Sequence, residues 1–174
     1  MVSLSVATGE HMHVERSITY HADLETVLGV LVSSDLASAR AKAGGLDHPE
    51  HTLTKEHTAP EAVTVVTVPA EKLPDKARKL VSRTTVVTIT QVWDGRGPER
   101  ATASFTVDVG SLPVTIRLTQ TLIAQGETTL STFEGDVKVS IPFIGSKLEQ
   151  LAASKVDAVL AADHRIVNSL LAAR

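Results

Sequence analysis

The sequence predicts an α+β domain: a curved antiparallel sheet of about six to seven strands wrapped around one long C-terminal helix, with two short helices after the first strand. Three observations predict it. Two short amphipathic stripes follow an opening stretch of alternating residues. Threonine and valine dominate from Thr52 to Thr106, and branching at Cβ favours extended chain. The end of the chain then carries one continuous helical stripe.

In order, Met12, Val14, Ile18 and Tyr20 share one face with Arg16 among them, the period of a strand. Asp23 is placed to cap a helix in which Leu24, Val27, Leu28, Leu31 and Val32 form one stripe. A second short helix follows Ser34-Asp35 and stops at Gly44-Gly45, where glycine tolerates a left-handed cap. Strands are expected near Thr52–His57, Ala62–Val68, Thr84–Trp93, Arg100–Val109, Val114–Ala124 and Thr128–Ile141. Asp94-Gly95-Arg96-Gly97-Pro98 and Gln125-Gly126-Glu127 read as hairpin loops, and short loops make consecutive strands antiparallel. Pro69 to Arg83 departs from the pattern, with two prolines and a short helix capped by Asp75. Pro142 ends the last strand, and Ser146-Lys147-Leu148-Glu149 is a capping box. Beyond it Leu148, Leu151, Ala152, Val156, Val159, Leu160, Ile166, Val167, Leu170 and Leu171 form a stripe. A helix of that length spans roughly 40 Å, and only the sheet is large enough to bury it.

Composition bounds the function. A chain of 174 residues supports a single core. The net charge of −3 supplies no basic field, so no nucleic-acid partner is expected. The absence of cysteine excludes disulfides, thiolate catalysis and cysteine-held metal centres. No apolar run approaches the roughly 18 residues of a membrane span, so no transmembrane segment is expected. Met1 to Glu10 lacks the basic and apolar regions of a signal peptide, and a cytoplasmic location is the default. His11-Met12 is what often remains where a coding sequence meets a vector. The domain is therefore expected over 12–174, with 1–11 a disordered leader carrying no function.

The order of elements resembles the helix-grip fold of the START-like superfamily, also called SRPBCC. Three stretches carry the resemblance: Ser17 to Asp23 before the first helix, Gly110 to Val114 entering a late strand, and Gly135 to Glu149, where the last strand turns into the last helix. Within the superfamily the chain is most similar to an uncharacterised branch, a domain of unknown function. The resemblance implies a fold and a pocket, and it brings no catalytic residues.

A curved sheet cannot press every side chain against one helix, and an apolar gap gains about 25 cal/mol per Å² from a hydrophobic ligand. Alternation turns Val87, Ile89, Gln91 and Trp93 inward, with Ala101, Ala103, Phe105 and Val107, then Ile116, Leu118, Gln120 and Leu122, then Phe133, Gly135, Val137 and Val139. The small residues Ala101, Ala103 and Gly135 are expected to leave room. The alternative is a core packed to ordinary density. Gln91, Gln120, Asp163, Lys155 and Arg16 are polar positions on apolar faces, candidates for orienting a ligand head group. Otherwise they pair internally, Asp163 with Arg16 for example, or a lysine reaches the rim. The candidate cavity lining is thus Arg16, Gln91, Trp93, Phe105, Leu118, Gln120, Phe133, Val137, Lys155, Val159 and Asp163.

His48 and His51 in His-Pro-Glu-His read as an exposed turn, His11 and His13 stand at the vector junction, and His57 and His164 are single histidines with surface or packing roles; no metal site is expected. No nucleophile motif, phosphate loop or dinucleotide fingerprint occurs, so no cofactor and no catalytic residue are assigned. Lys72, Lys76, Arg78, Lys79 and Arg83 make a locally basic segment, read as a solvated helical turn, as a lid, or as a transient contact for an anionic membrane surface. The leading function is binding or carriage of a lipid-like or polycyclic small molecule. The alternatives are a cyclase or hydratase using the same cavity, and a non-catalytic interaction protein whose cavity is vestigial. A non-enzymatic role is favoured. Oligomeric state is left open.

Overall fold

A computed structural model of the chain describes the backbone of residues 12–55, 57–110, 112, 114–139 and 145–174, and within these the side chains of all but 12, 76, 115, 137–139, 146, 148, 149 and 151–156. Strand β1 (Met12–Tyr20) leads into helices α1 (Leu24–Leu31) and α2 (Ser34–Ala43). Then come β2 (Glu50–Thr54), β3 (Glu61–Pro69), a 3₁₀ turn at Ala70–Lys72, the one-turn helix α3 (Asp75–Arg78), β4 (Thr84–Trp93), β5 (Arg100–Asp108), β6 (Val114–Gln125), β7 (Thr128–Val139) and α4 (Gly145–Leu171). The fold is α+β with a seven-stranded sheet in the order β1-β7-β6-β5-β4-β3-β2. Every pair is antiparallel. The first strand therefore closes against the last, and α1 and α2 carry the chain to the opposite edge.

Local chemistry accounts for the ends of the elements. Asp23 accepts from the Thr26 amide at 2.9 Å and caps α1. Ser33 accepts from the Leu36 amide at 3.2 Å, so α2 begins at Ser34, earlier than the sequence pattern places it. It ends with Gly45 at φ +64. Strand β2 starts at Glu50, paired with Val65, and stops before His57. Lys55 turns left-handed at φ 53, and its carbonyl accepts from Thr58 and Ala59. Asp75 does not cap α3. The N-cap is Pro74, which has no side-chain bond, and Asp75 instead pairs with Arg78 at 2.7 Å. Because α4 begins at Gly145, Ser146 stands inside its first turn. The capping bonds expected of Ser146 and Glu149 fall outside the described side chains, and residues 1–11 fall outside the described residues.

The core lies where α1, α2 and the C-terminal turns of α4 meet one end of the sheet. Val27, Leu36, Trp93, Leu122 and Val167 are fully buried there. Each such aliphatic side chain contributes about 1.5–3 kcal/mol on burial. Ile166, Leu170 and Leu171 pack on the same cluster. Val159, two turns earlier on the expected stripe, is 61% exposed and stands clear of it. Among the described side chains of α4, the buried seam is thus its last turns, where α1 and α2 are also present to cover it.

Candidate functional site: the concave face of the sheet

Register places the expected inward residues on one face. Arg16, Phe133, Gln120, Ala103 and Trp93 form one row across five strands. The next row is Val14, Gly135, Leu118, Phe105, Gln91, Ala62 and Leu53. The third contains Ile116, Val107, Ile89, Thr64 and His51. Burial falls off from row to row. Trp93, Ala103 and Gln120 have no exposed surface, whereas Phe105, Leu118, Ile116, Val107 and Ile89 are only half-buried. One end of the concave face is sealed by helices, and the other keeps apolar surface open.

The small residues act differently from expectation. Ala101 and Ala103 are fully buried at the sealed end, where their size lets the helices sit down on the sheet. A Cβ on Gly135 would lie 2.2 Å from the Arg117 carbonyl oxygen, so the glycine serves a close approach of two backbones. None of the three opens the hollow.

Two of the charged candidates are tied down. Arg16 Nε donates to Asp157 Oδ1 at 2.6 Å and its Nη1 to the Glu15 carbonyl at 2.7 Å. Asp163 accepts from Arg40 Nε at 2.6 Å and Nη2 at 2.8 Å. The pairing of Asp163 with Arg16 is thereby corrected: α2 crosses beside Asp163 and supplies a nearer, two-pronged guanidinium. The side chains of Lys155 and Val137 lie outside the described residues.

Among the described residues, four buried polar atoms lack a partner: Tyr20 OH, Gln91 Nε2, Trp93 Nε1 and Gln120 Oε1. Gln120 spends its amide nitrogen on Ser131 Oγ at 2.8 Å. Tyr20 lies edge-on to the His164 ring, with centroids 5.4 Å apart. Burial pushes its phenol far above the ordinary value, and the Asp163 carboxylate pushes it further. Phe105 and Phe133 meet edge to face at 6.4 Å between centroids.

A cavity of about 160 Å³ adjoins this face between α2 and strands β2–β4. Leu31, Ala41, Val66 and Ile89 supply apolar wall, and Arg40, His51, Thr64 and Gln91 supply polar wall. His51 is not in an exposed turn. It stands on β2 facing inward, its Nδ1 at 2.9 Å from Thr64 Oγ1 and its Nε2 at 3.0 Å from the Val32 carbonyl. His164 has its Nε2 at 3.1 Å from the Thr19 carbonyl, and His57 is exposed. Among the described residues, no three His, Asp or Glu side chains are grouped to hold a metal. Among the described residues, no helix is long and apolar enough to cross a membrane.

The basic segment is anchored rather than loose. Ala77 and Val81 pack with Leu112, and Ala70, Leu73 and Val109 join them in a small satellite core. This ties the β3–β4 connection to the β5–β6 turn at the open end of the face. Arg40, Tyr20 and the α2 cavity escaped the sequence reading. Leu36, Ala37, Arg40 and Ala41 share one helical face, and His51 alternates with Leu53, so a local signal existed for both walls.

The architecture is the START-like helix-grip fold. An aromatase/cyclase from Streptomyces sp. R1128 matches at TM-score 0.61 with 14% identity, over 92% of this chain and 93% of its own. A START superfamily protein from Mycobacterium smegmatis matches at 0.56 with 12% identity, over 91% and 96%. Human STARD10 matches at 0.59 with 8% identity, over 95% and 72%. Identities this low speak to fold alone. No curated protein matches by sequence. The profile of a family described as protein of unknown function (DUF2505) matches residues 15–171.

Proposed function

The chain belongs to the DUF2505 family, and from its half-open concave face we propose that it binds or carries an apolar small molecule there. The observation that supports this most is the burial gradient. Ile89, Phe105, Val107, Ile116 and Leu118 point inward yet remain half-buried, beside residues with no exposed surface at all. Covering that apolar surface with a ligand gains about 25 cal/mol per Å². A carrier is favoured over a cyclase or hydratase, because the titratable side chain described in the open rows, His51, has both ring nitrogens engaged, by Thr64 Oγ1 and the Val32 carbonyl. Asp163 is committed to Arg40 through both carboxylate oxygens.

Native mass spectrometry of the purified chain, followed by thermal shift with a fatty acid and a polycyclic aromatic probe, tests the reading. A bound mass, or a rise in Tm with either probe, is expected. A bare chain whose Tm neither probe moves would refute it.

A further inference from the structure

The α2 cavity has a polar wall group that the fold leaves unanswered. Gln91 is 4% exposed and lines the cavity, and its side chain makes no hydrogen bond among the described residues. Its two ends differ. Nε2 is sealed away from any occupant, and Oε1 is the end that keeps accessible surface. Its neighbours across the sheet are Ala62 on β3 and Phe105 on β5, whose side chains have nothing to donate. The polar groups around it are engaged. Ser33 Oγ donates to the Val30 carbonyl at 2.7 Å and accepts from Leu36, His51 holds Thr64 Oγ1 and the Val32 carbonyl, and Arg40 gives Nε and Nη2 to Asp163. An unused acceptor thus faces a hollow whose wall is mostly apolar.

Resting on the ligand-binding reading above, we propose that this cavity seats one uncharged ring of the ligand, bearing a hydroxyl that donates a hydrogen bond to Gln91 Oε1, as a phenol does. Size, polarity and charge each point the same way. About 160 Å³ is close to the roughly 150 Å³ at which an apolar protein cavity takes up a single benzene ring. An amide oxygen accepts and never donates, so the occupant brings the proton. Asp163 and Arg40 neutralise each other, so an ammonium would lose its hydration without an unpaired anion to meet it. A carboxylate would lose its hydration too, and would set its lone pairs against those of Oε1. A hydroxyl is a neutral donor that one ring carries within this volume.

Titration by NMR of the full chain and of Gln91→Met with phenol, toluene and anisole separates the outcomes. Phenol and toluene match in size, and anisole carries the oxygen without its proton. Methionine is nearly isosteric with glutamine and removes the amide oxygen. Water competes for the phenol hydroxyl in both proteins alike, so the quantity read is the change in the phenol-to-toluene affinity ratio between them. That ratio is expected to fall about tenfold in Q91M, which corresponds to about 1.4 kcal/mol and lies within the cost of leaving one buried hydroxyl bare. Toluene is expected to bind both proteins, which also shows that the variant is folded, and the anisole-to-toluene ratio is expected to stay level. In the unsubstituted chain the Gln91 side-chain amide resonances are expected to shift further with phenol than with toluene or anisole, a reading that needs no variant. Equal shifts, or a phenol ratio that Q91M leaves unaltered, would overturn the proposal. So would an anisole ratio that falls with the phenol ratio, since the amide then presents its nitrogen, and so would toluene failing to bind the unsubstituted chain. Failure of all three rings together with both probes of the previous test would refute the ligand-binding reading itself, whereas a positive result there with no ring bound here refutes only this inference.

Discussion

Tyr20 is the single tyrosine of the chain, and replacing it with phenylalanine isolates one atom. Its ring is fully buried and its hydroxyl has no hydrogen-bond partner. An unsatisfied buried hydroxyl costs about 1–3 kcal/mol, and the void left by its removal returns part of that. Tyr20→Phe is therefore expected to stabilise the protein by about 1 kcal/mol, or about 2–4 °C in Tm for a chain of this size. The same substitution has a pH signature. Burial, and secondarily Asp163, raises the phenol's pKa above its ordinary value of 10.0 in the folded state. The protonated form is the one the fold accommodates, so this contribution is complete below pH 10.0 and is lost as the pH climbs above it. Urea unfolding between pH 8 and 11 should show stability falling above pH 10 more steeply in the unsubstituted chain than in Y20F. Absorbance of the phenolate reports only this residue. A Y20F variant of equal or lower stability, with the same alkaline profile, would refute the reasoning and mean that the hydroxyl is hydrogen-bonded.

Two further substitutions probe the frame. Asp163→Asn removes one partner of the Arg40 ion pair; with Arg40's side chain 35% exposed, water recovers part of the loss, and chemical denaturation should register about 1–3 kcal/mol. Gly135→Ala drives a Cβ into the β6 backbone, and a loss of at least about 2–3 kcal/mol, or failure to fold, is expected in the same assay; a fully stable G135A would mean that β6 and β7 separate there with ease.

The strands and the α1 cap were readable because their signals are local. Alternation assigned the inward residues of β4 to β6 without any knowledge of neighbours, and Asp23 capped α1 through atoms three residues apart. Lys55 shows the limit of that reading. Its neighbours favour extension, yet the chain turns left-handed there because β2 and β3 must be joined in register. Val159 shows another, since helical periodicity says which residues share a face and not how far along the helix a partner extends.

The sequence by itself determined the α+β class, the order of elements and which strand side chains look inward, because backbone propensity and periodicity act over a few residues. Tertiary structure alone decided that Asp163 belongs to Arg40, that Arg16 belongs to Asp157, and that Gly135 serves backbone approach. The two ion pairs join residues more than a hundred positions apart, and their energies depend on distance and burial. Both come into being only when the sheet curls and the helices settle onto one end of it.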